Sequence, residues 1–215
     1  MRNLLSHALT ENHYSFSETV QSQLIVYLEL LQKWNRIFNL TAIHDPREMV
    51  YLHILDSLSI SPYLQGEKII DVGTGAGLPG IPLALTHPQK QFVLLDSNGK
   101  KTRFLTQVIA ELAIKNVEVI HARCQDFHPS YYFDSIISRA FSRIADMLNQ
   151  TQHLANENSH FLAMKGKYPR EEIELLPTEF ELIHAYPLTI KGVSLERYLL
   201  VIRMQSSQNL CNSLT

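Results

Sequence analysis

The chain has 215 residues, 45% of them apolar and 19% charged, with a formal net charge of −2. That is the profile of an ordinary soluble globular protein, with enough chain for one sizeable core and a small appended element. It excludes an overall basic nucleic-acid-binding surface, and no apolar run approaches the ~18 residues that span a bilayer. The start of the chain lacks the continuous apolar stretch of a secretory signal. Cys124 and Cys211 are the only cysteines, so no disulfide framework is indicated and a reducing cytoplasm is the expected compartment.

A short helix is possible near residues 2–12. From Ser17 to Leu40 the apolar positions Val20, Leu24, Tyr27, Leu28, Leu31, Trp34, Ile37 and Phe38 follow helical spacing, with Ser17 as N-cap. A second helix starts at "HDPREM", where Asp45 can cap and Pro46 fits the first helical position, and Pro62 stops it. The first sixty-odd residues therefore read as helical.

The pattern then changes. Lys68–Val72, Phe92–Leu95, Val117–His121, Phe133–Ser138 and Phe161–Met164 read as short strands with helical stretches between them, notably Lys100–Ile114. Strand and helix alternating at this spacing mean a parallel sheet covered on both faces. After Glu174, "FELIHAYPLTI" and "RYLLVIRM" are two strands with a turn region at Gly192 and no helix. They form an antiparallel pair, so one of them must run against the parallel sheet. Three units follow: a helical extension over 1–64, an α/β core over 65–205, and a polar, flexible tail over 206–215.

Charge is uneven along the chain. Residues 100–170 carry 10 basic and 6 acidic side chains, against 6 and 9 over 1–99 and 3 and 6 over 171–215. Either this is scatter on a solvated surface, or the middle third carries a local phosphate-facing patch.

The stretch "KIIDVGTGAGLPGIP" (Lys68–Pro82) carries the chemistry. A P-loop is set aside, because Ile81-Pro82 stands where Lys and Ser/Thr must be. Gly75-x-Gly77-x-x-Gly80 matches a dinucleotide fingerprint literally, but it starts three residues beyond Val72, whereas the first glycine should turn directly off the strand. The remaining reading is a nucleoside loop, Asp71-x-Gly73-x-Gly75-x-Gly77, with Asp71 ending strand one and Gly73 turning off it. Its glycines give the amino-acid part of S-adenosylmethionine room to approach backbone. Asp96, ending strand two, is placed for the ribose hydroxyls, and "ARCQDF" after strand three for an adenine edge.

Seven ordered segments, "FNLTAIHDPREM", "HILDSL", "IDVGTGAGLPGIPLAL", "LLDSNGKKTRFL", "ISRAF", "MKGK" and "ERYLLVI", closely resemble the bacterial glucose-inhibited division protein B family, also called RsmG. The resemblance runs from about Leu24 to Arg203. It implies a class I, Rossmann-like methyltransferase: a largely parallel seven-stranded sheet with an antiparallel last strand, plus N-terminal helices. It implies transfer of a methyl group from S-adenosylmethionine to N7 of one guanine in 16S ribosomal RNA of the 30S subunit, by a monomer without a membrane. It places Gly73, Leu78, Cys124, Gln125 and Arg139 at the cofactor, and Gly75 and Asp96 join them on the physical argument. The family usually has an acid where this chain has Gln125; a Gln carbonyl still accepts from an adenine amine.

Guanine N7 loses no proton on methylation, so no general base is needed; the absence of an Asn/Asp-Pro-Pro-Tyr/Phe stretch is consistent with this. Arg139, after strand four, has a positioning role, on a methionine carboxylate or a guanine carbonyl. Phe141 is either a stacking platform or core. Lys165 and Arg197 are candidates for phosphates around the target. Asn39, His53 and Lys100 join them as RNA-facing candidates, although a solvated helix face accounts equally well for Lys100, Lys101 and Arg103. His53 and Asp56, one turn apart, can pair with one another. No two-His pair has an acid or cysteine partner at ligand spacing, so no metal is expected. Two other functions stay open: a non-catalytic S-adenosylmethionine-binding adaptor, and a nicotinamide-dependent oxidoreductase.

Overall fold

The computed structural model describes residues 1–139, 141 and 143–205. The tail expected at 206–215, with Cys211, lies outside the described residues, as do Ala140 and Ser142.

Three helical elements precede the sheet. Helix α1 spans Arg2–Glu11 and α2 spans Glu18–Phe38. Ser17 caps α2 by accepting from the Val20 amide, and Asn39 ends it in the left-handed conformation at φ 50°. The helix expected after Asp45 begins as proposed: Asp45 accepts from the amides of Arg47 and Glu48, and α3 covers Pro46–Met49. It then widens into a π-helical stretch, Val50–Leu55, and closes as α4, Asp56–Leu58. The helix thus ends before Pro62, which sits in a separate 3₁₀ turn, Ser61–Tyr63.

The sheet strands are β1 (Lys68–Val72), β2 (Gln91–Asp96), β3 (Val117–His121), β4 (Ser135–Ser138), β5 (His160–Lys165), β6 (Phe180–Pro187) and β7 (Tyr198–Met204). Their order is β3-β2-β1-β4-β5-β7-β6. The first five are parallel, and β7 runs antiparallel to both β5 and β6. The last strand is therefore the antiparallel one, inserted between β5 and β6. β4 starts two residues later than the sequence indicates. Asp134 is used instead as a clamp, its Oδ2 accepting from the amides of Glu67 and Lys68.

Helices α5 (Gly80–Thr86), α6 (Gly99–Leu112), α7 (Ile144–Thr151) and α8 (Arg170–Glu174) join the strands. Strand periodicity splits the core between two faces. On β2, Phe92 and Leu94 pack on the side of the N-terminal helices, α5 and α6, whereas Val93 and Leu95 pack with Met147 and Leu148 of α7. The N-terminal helices share one buried cluster with Phe104, Leu105 and Val108 of α6. They are joined to the sheet domain by continuous core rather than tethered beside it. Among the described residues no helix is long and apolar enough to cross a membrane.

Candidate functional site

The site forms where the carboxyl ends of β1, β2 and β4 meet the N-terminal helices. The turn after β1 is built from glycines because the backbone requires it: Gly73, Gly75 and Gly77 have φ of 69°, 63° and 89°, a region that L side chains avoid. Gly80 serves close approach instead, since a Cβ there would lie 2.2 Å from Leu94 Cδ2. The amides of Gly73 and Thr74 both donate to the Leu95 carbonyl, at 2.8 and 3.1 Å, so the loop is stitched to the end of β2.

Two aspartates organise this loop. Asp71 is fully buried. Its Oδ2 accepts from Thr74 Oγ1 at 2.7 Å and from the Gly80 amide at 2.9 Å, while Oδ1 has no partner. Burial pushes its pKa up to about 6, against the pull of those two hydrogen bonds and of Arg139. Asp96, at the end of β2, accepts from the Gly75 amide at 2.9 Å through Oδ2 and from the Asn98 amide at 2.8 Å through Oδ1; Lys101 Nζ stands 3.6 Å from Oδ2. It links the loop to the start of α6. Helix α2 also reaches the loop: the buried Tyr27 hydroxyl donates to the Ala76 carbonyl at 2.8 Å.

Three cavities meet around these residues. The first, ≈ 380 Å³, is lined by Gly73, Asp96, Cys124, Gln125, Phe141 and Gln150 among others. The second, ≈ 170 Å³, is lined by Leu40, Thr41, Gly73–Ala76, Leu78 and Arg139, and meets the first at Gly73. The third, ≈ 380 Å³, shares Thr41 and Arg139 with the second and is otherwise lined by Leu52, His53, Asp56, Lys165, Gly166, Arg197, Tyr198 and neighbours. Every residue placed at the cofactor in the sequence reading therefore lines one of the first two cavities. Phe141, left between base and core, lines the first.

Side-chain detail differs from expectation in several places. Gln125 Nε2 donates to Gln150 Oε1 at 3.1 Å, a bond that does not involve the Gln125 carbonyl oxygen expected to face the adenine amine. The Cys124 thiol donates to the Gln150 carbonyl at 3.2 Å, and burial raises its pKa to about 11, so it stays protonated. Arg139 donates through one guanidinium nitrogen to the Leu52 carbonyl at 3.2 Å and to Asp56 Oδ2 at 2.9 Å. Arg197 Nε donates to the other oxygen, Asp56 Oδ1, at 3.0 Å.

His53 and Asp56 share no hydrogen bond, although the Asp56 charge acts on the His53 ring. Asp56 takes the two arginines, whereas His53 Nε2 lies 3.1 Å from Thr41 Oγ1 and its Nδ1 has no hydrogen bond. Burial, and then Arg139, lower the His53 pKa to about 4, so the ring is neutral at physiological pH. Lys165 lines the third cavity with its Nζ on Glu172, at 2.9 Å. Asn39 and Lys100 are exposed and line none of the three cavities: Asn39 serves as the helix cap, and Lys100 opens α6. Among the described residues no cluster of His, Cys, Asp and Glu is arranged to hold a metal ion.

Sequence reasoning missed Tyr27, Leu40, Thr41 and Gln150 as site residues. Thr41 lies inside the "FNLTAIHDPREM" segment, and that was its only signal. Gln150 reaches the site from α7, 25 residues after Gln125, and nothing local marks it.

A family model described as rRNA small subunit methyltransferase G, GidB, matches residues 20–201. Ribosomal RNA small subunit methyltransferase G of Pseudomonas syringae pv. tomato is 48% identical over 199 residues, covering 93% of this chain and 94% of its own. That of Pseudomonas aeruginosa is 52% identical over 184 residues, covering 85% and 86%. Among solved structures, an S-adenosylmethionine-dependent methyltransferase from Aquifex aeolicus superposes with a TM-score of 0.57 at 18% identity, over 75% of this chain and 94% of that one. TYW2 of Pyrococcus horikoshii, in complex with MeSAdo, gives 0.55 at 13% identity, over 72% and 63%. At these identities the two structures establish a shared Rossmann-like fold.

Proposed function

The chain belongs to the GidB family of small-subunit ribosomal RNA methyltransferases, and from that premise we propose that it methylates N7 of one guanine in 16S ribosomal RNA, using S-adenosylmethionine. The observation that carries the reading is the shared wall. Arg139 and Thr41 border both the glycine-loop cavity and the cation-lined third cavity, so a donor held in one faces an acceptor held in the other.

The residues present fit the donor. The two cavities that share Gly73 offer an acid that suits a sugar, a glycine turn that suits an amino-acid end, and an amide pair, Gln125 and Gln150, that suits a base. S-adenosylmethionine, when bound, supplies an electrophilic methyl group on a sulfonium. Gly73, Gly75 and Leu78 would then wall the amino-acid end, Asp96 would accept from the ribose, and Cys124 and Gln125 would border the adenine. Asp96 already accepts from two backbone amides, which fix its carboxylate before any ligand arrives. Buried apolar side chains, Leu78 among them, keep water from the donor end.

For N7 the chain has to orient a lone pair and remove no proton. The side chains around the third cavity suit that requirement. His53 is neutral and engaged at Thr41, and both oxygens of Asp56 are held by arginines. Arg139 acts as the positioning group at the shared wall. Arg197 and Lys165 supply positive charge to the RNA backbone around the target, each now held by one carboxylate. His53 backs the same cavity, while Asn39 and Lys100 contribute at the periphery. A monomer acting in the cytoplasm on the small subunit completes the reading.

The test is to incubate the protein with methyl-labelled S-adenosylmethionine and unmodified 30S subunits. The expected result is label in a single 16S guanine whose strand cleaves after mild reduction and aniline treatment, a reaction of 7-methylguanine. Label that resists cleavage would overturn the N7 assignment. No label, with S-adenosylhomocysteine still bound, would overturn the enzyme reading in favour of a non-catalytic adaptor.

A further inference from the structure

The third cavity contains one acid among its described lining residues, Asp56. The side chain is only 2% exposed and is gripped from two directions, by Arg139 after β4 and by Arg197 ahead of β7. Removing a carboxylate from water is costly, and well-placed, hydrogen-bonded cations offset it. Two arginines fix the carboxylate's position and orientation, each using one acceptor site on one oxygen. A carboxylate offers about four such sites, so acceptor capacity remains on both oxygens. A preformed, oriented acceptor facing a cavity of ≈ 380 Å³ is an arrangement suited to reading donors on a ligand.

The order of groups along the wall indicates which ligand. A guanine that presents N7 to the wall at Arg139 carries its other edge groups in a fixed sequence: O6, an acceptor, beside N7; then N1–H and the 2-amino group, both donors. Arg139 and then Asp56 offer the complementary sequence, a donor followed by an acceptor: Nη1 gives its two hydrogens to Leu52 and Asp56, which leaves the other guanidinium nitrogens as donors beside the carboxylate. Adenine would set its amine against the Arg139 donors, and an unprotonated ring nitrogen against the Asp56 carboxylate. Both mismatches penalise the wrong base.

We propose that Asp56 is the residue that reads the acceptor base, its carboxylate accepting from N1–H and the 2-amino group of guanine while Arg139 donates to O6. The proposal rests on the methyltransferase reading above and adds to it the means of base selection. It has a catalytic corollary. Methylation moves positive charge onto the purine, which makes N1–H and the 2-amino group stronger donors. Their bonds to Asp56 tighten along the reaction, and interactions that strengthen towards the transition state raise the rate.

The experiment uses 30S subunits reconstituted with 16S RNA ligated to carry either guanine or inosine at the position the wild-type protein labels. Inosine keeps N7, O6 and N1–H and lacks only the 2-amino group. Wild-type kcat/KM is expected to fall about ten- to a hundredfold on inosine, the effect of losing a hydrogen bond to a charged acceptor. Asp56→Asn is expected to be slow on guanine and to bring the guanine-to-inosine ratio within about threefold of one, with S-adenosylhomocysteine binding by calorimetry reporting an intact fold. If Asp56→Asn does not fold, Asp56→Glu replaces it, with the same collapse of the ratio expected. Equal wild-type rates on the two substrates would overturn the proposal. So would a folded variant that is slow but keeps the wild-type ratio, because that is what mere support of the arginines predicts. Absence of label in any guanine with the wild-type protein would instead overturn the methyltransferase reading, and the proposal with it.

Discussion

Replacing Asp71 with Asn is expected to reveal a pH dependence that the wild-type protein conceals. Asp71 is fully buried beneath the glycine loop and titrates at about 6, against an ordinary value of 3.8. A raised carboxylate pKa means that the folded chain holds the proton more tightly than the unfolded one. Stability from this group is therefore complete below about pH 4, declines as pH rises to about 6, and is flat above. The full change is about 3 kcal/mol. His53 works in the opposite sense. Its pKa is lowered from 6.5 to about 4, so its contribution is complete above pH 6.5 and is lost as pH falls towards 4, again by about 3 kcal/mol. Between pH 4 and 6 the two slopes oppose each other, and the wild-type curve should be shallow. Asn is nearly isosteric and still accepts from Thr74 and Gly80. Urea unfolding of wild type and Asp71→Asn at half-unit intervals from pH 4 to 8 isolates the contribution of this one carboxyl. The difference, wild type minus variant, should fall by about 3 kcal/mol between pH 4 and 6 and then level off. Parallel curves would refute the claim that Asp71 is protonated at mild acid pH in the folded chain.

His53→Gln should show the converse, losing less stability than wild type as pH drops from 6.5 to 4, by the same unfolding series. Tyr27→Phe removes the only side-chain bond from α2 to the Ala76 carbonyl among the described residues. It should cost about 1–2 kcal/mol in urea and weaken S-adenosylhomocysteine binding a few-fold by calorimetry; unchanged affinity would detach α2 from the cofactor loop. Arg139→Ala strips one of two arginines from a buried carboxylate. It should lower stability by about 2–4 kcal/mol and slow methylation of 30S subunits at least about tenfold, so wild-type initial rates would show that Arg139 does not position the reactants.

What the sequence made legible was local. Ser17 and Asp45 announced their helices through cap chemistry, β-branched runs announced the strands, and the turn off β1 demanded glycine at Gly73 and Gly75. Asp96 followed from its place at the end of β2. What escaped was decided by tertiary approach. The π-helical turn over Val50–Leu55 leaves no mark in a pattern of apolar spacing. Yet it carries both His53 and Leu52, whose carbonyl accepts from Arg139. Lys165 looked like a bare cation after a strand, but Glu172, seven residues on and carried by α8, holds its ammonium in place. Gln150 and Thr41 reach the site from segments whose own periodicity speaks only of helix and loop.

The insertion of β7 between β5 and β6 matters for how the chain emerges from a ribosome. Until residues 198–204 have been made, β5 stands as an open sheet edge and β6 has no strand to join. Exposed edges of this kind invite pairing with other chains. The segment that closes the gap also delivers Arg197 and Tyr198 to the third cavity. A nascent chain therefore completes its sheet and its acceptor cavity in the same late step, and any product stopped short of that strand lacks both at once.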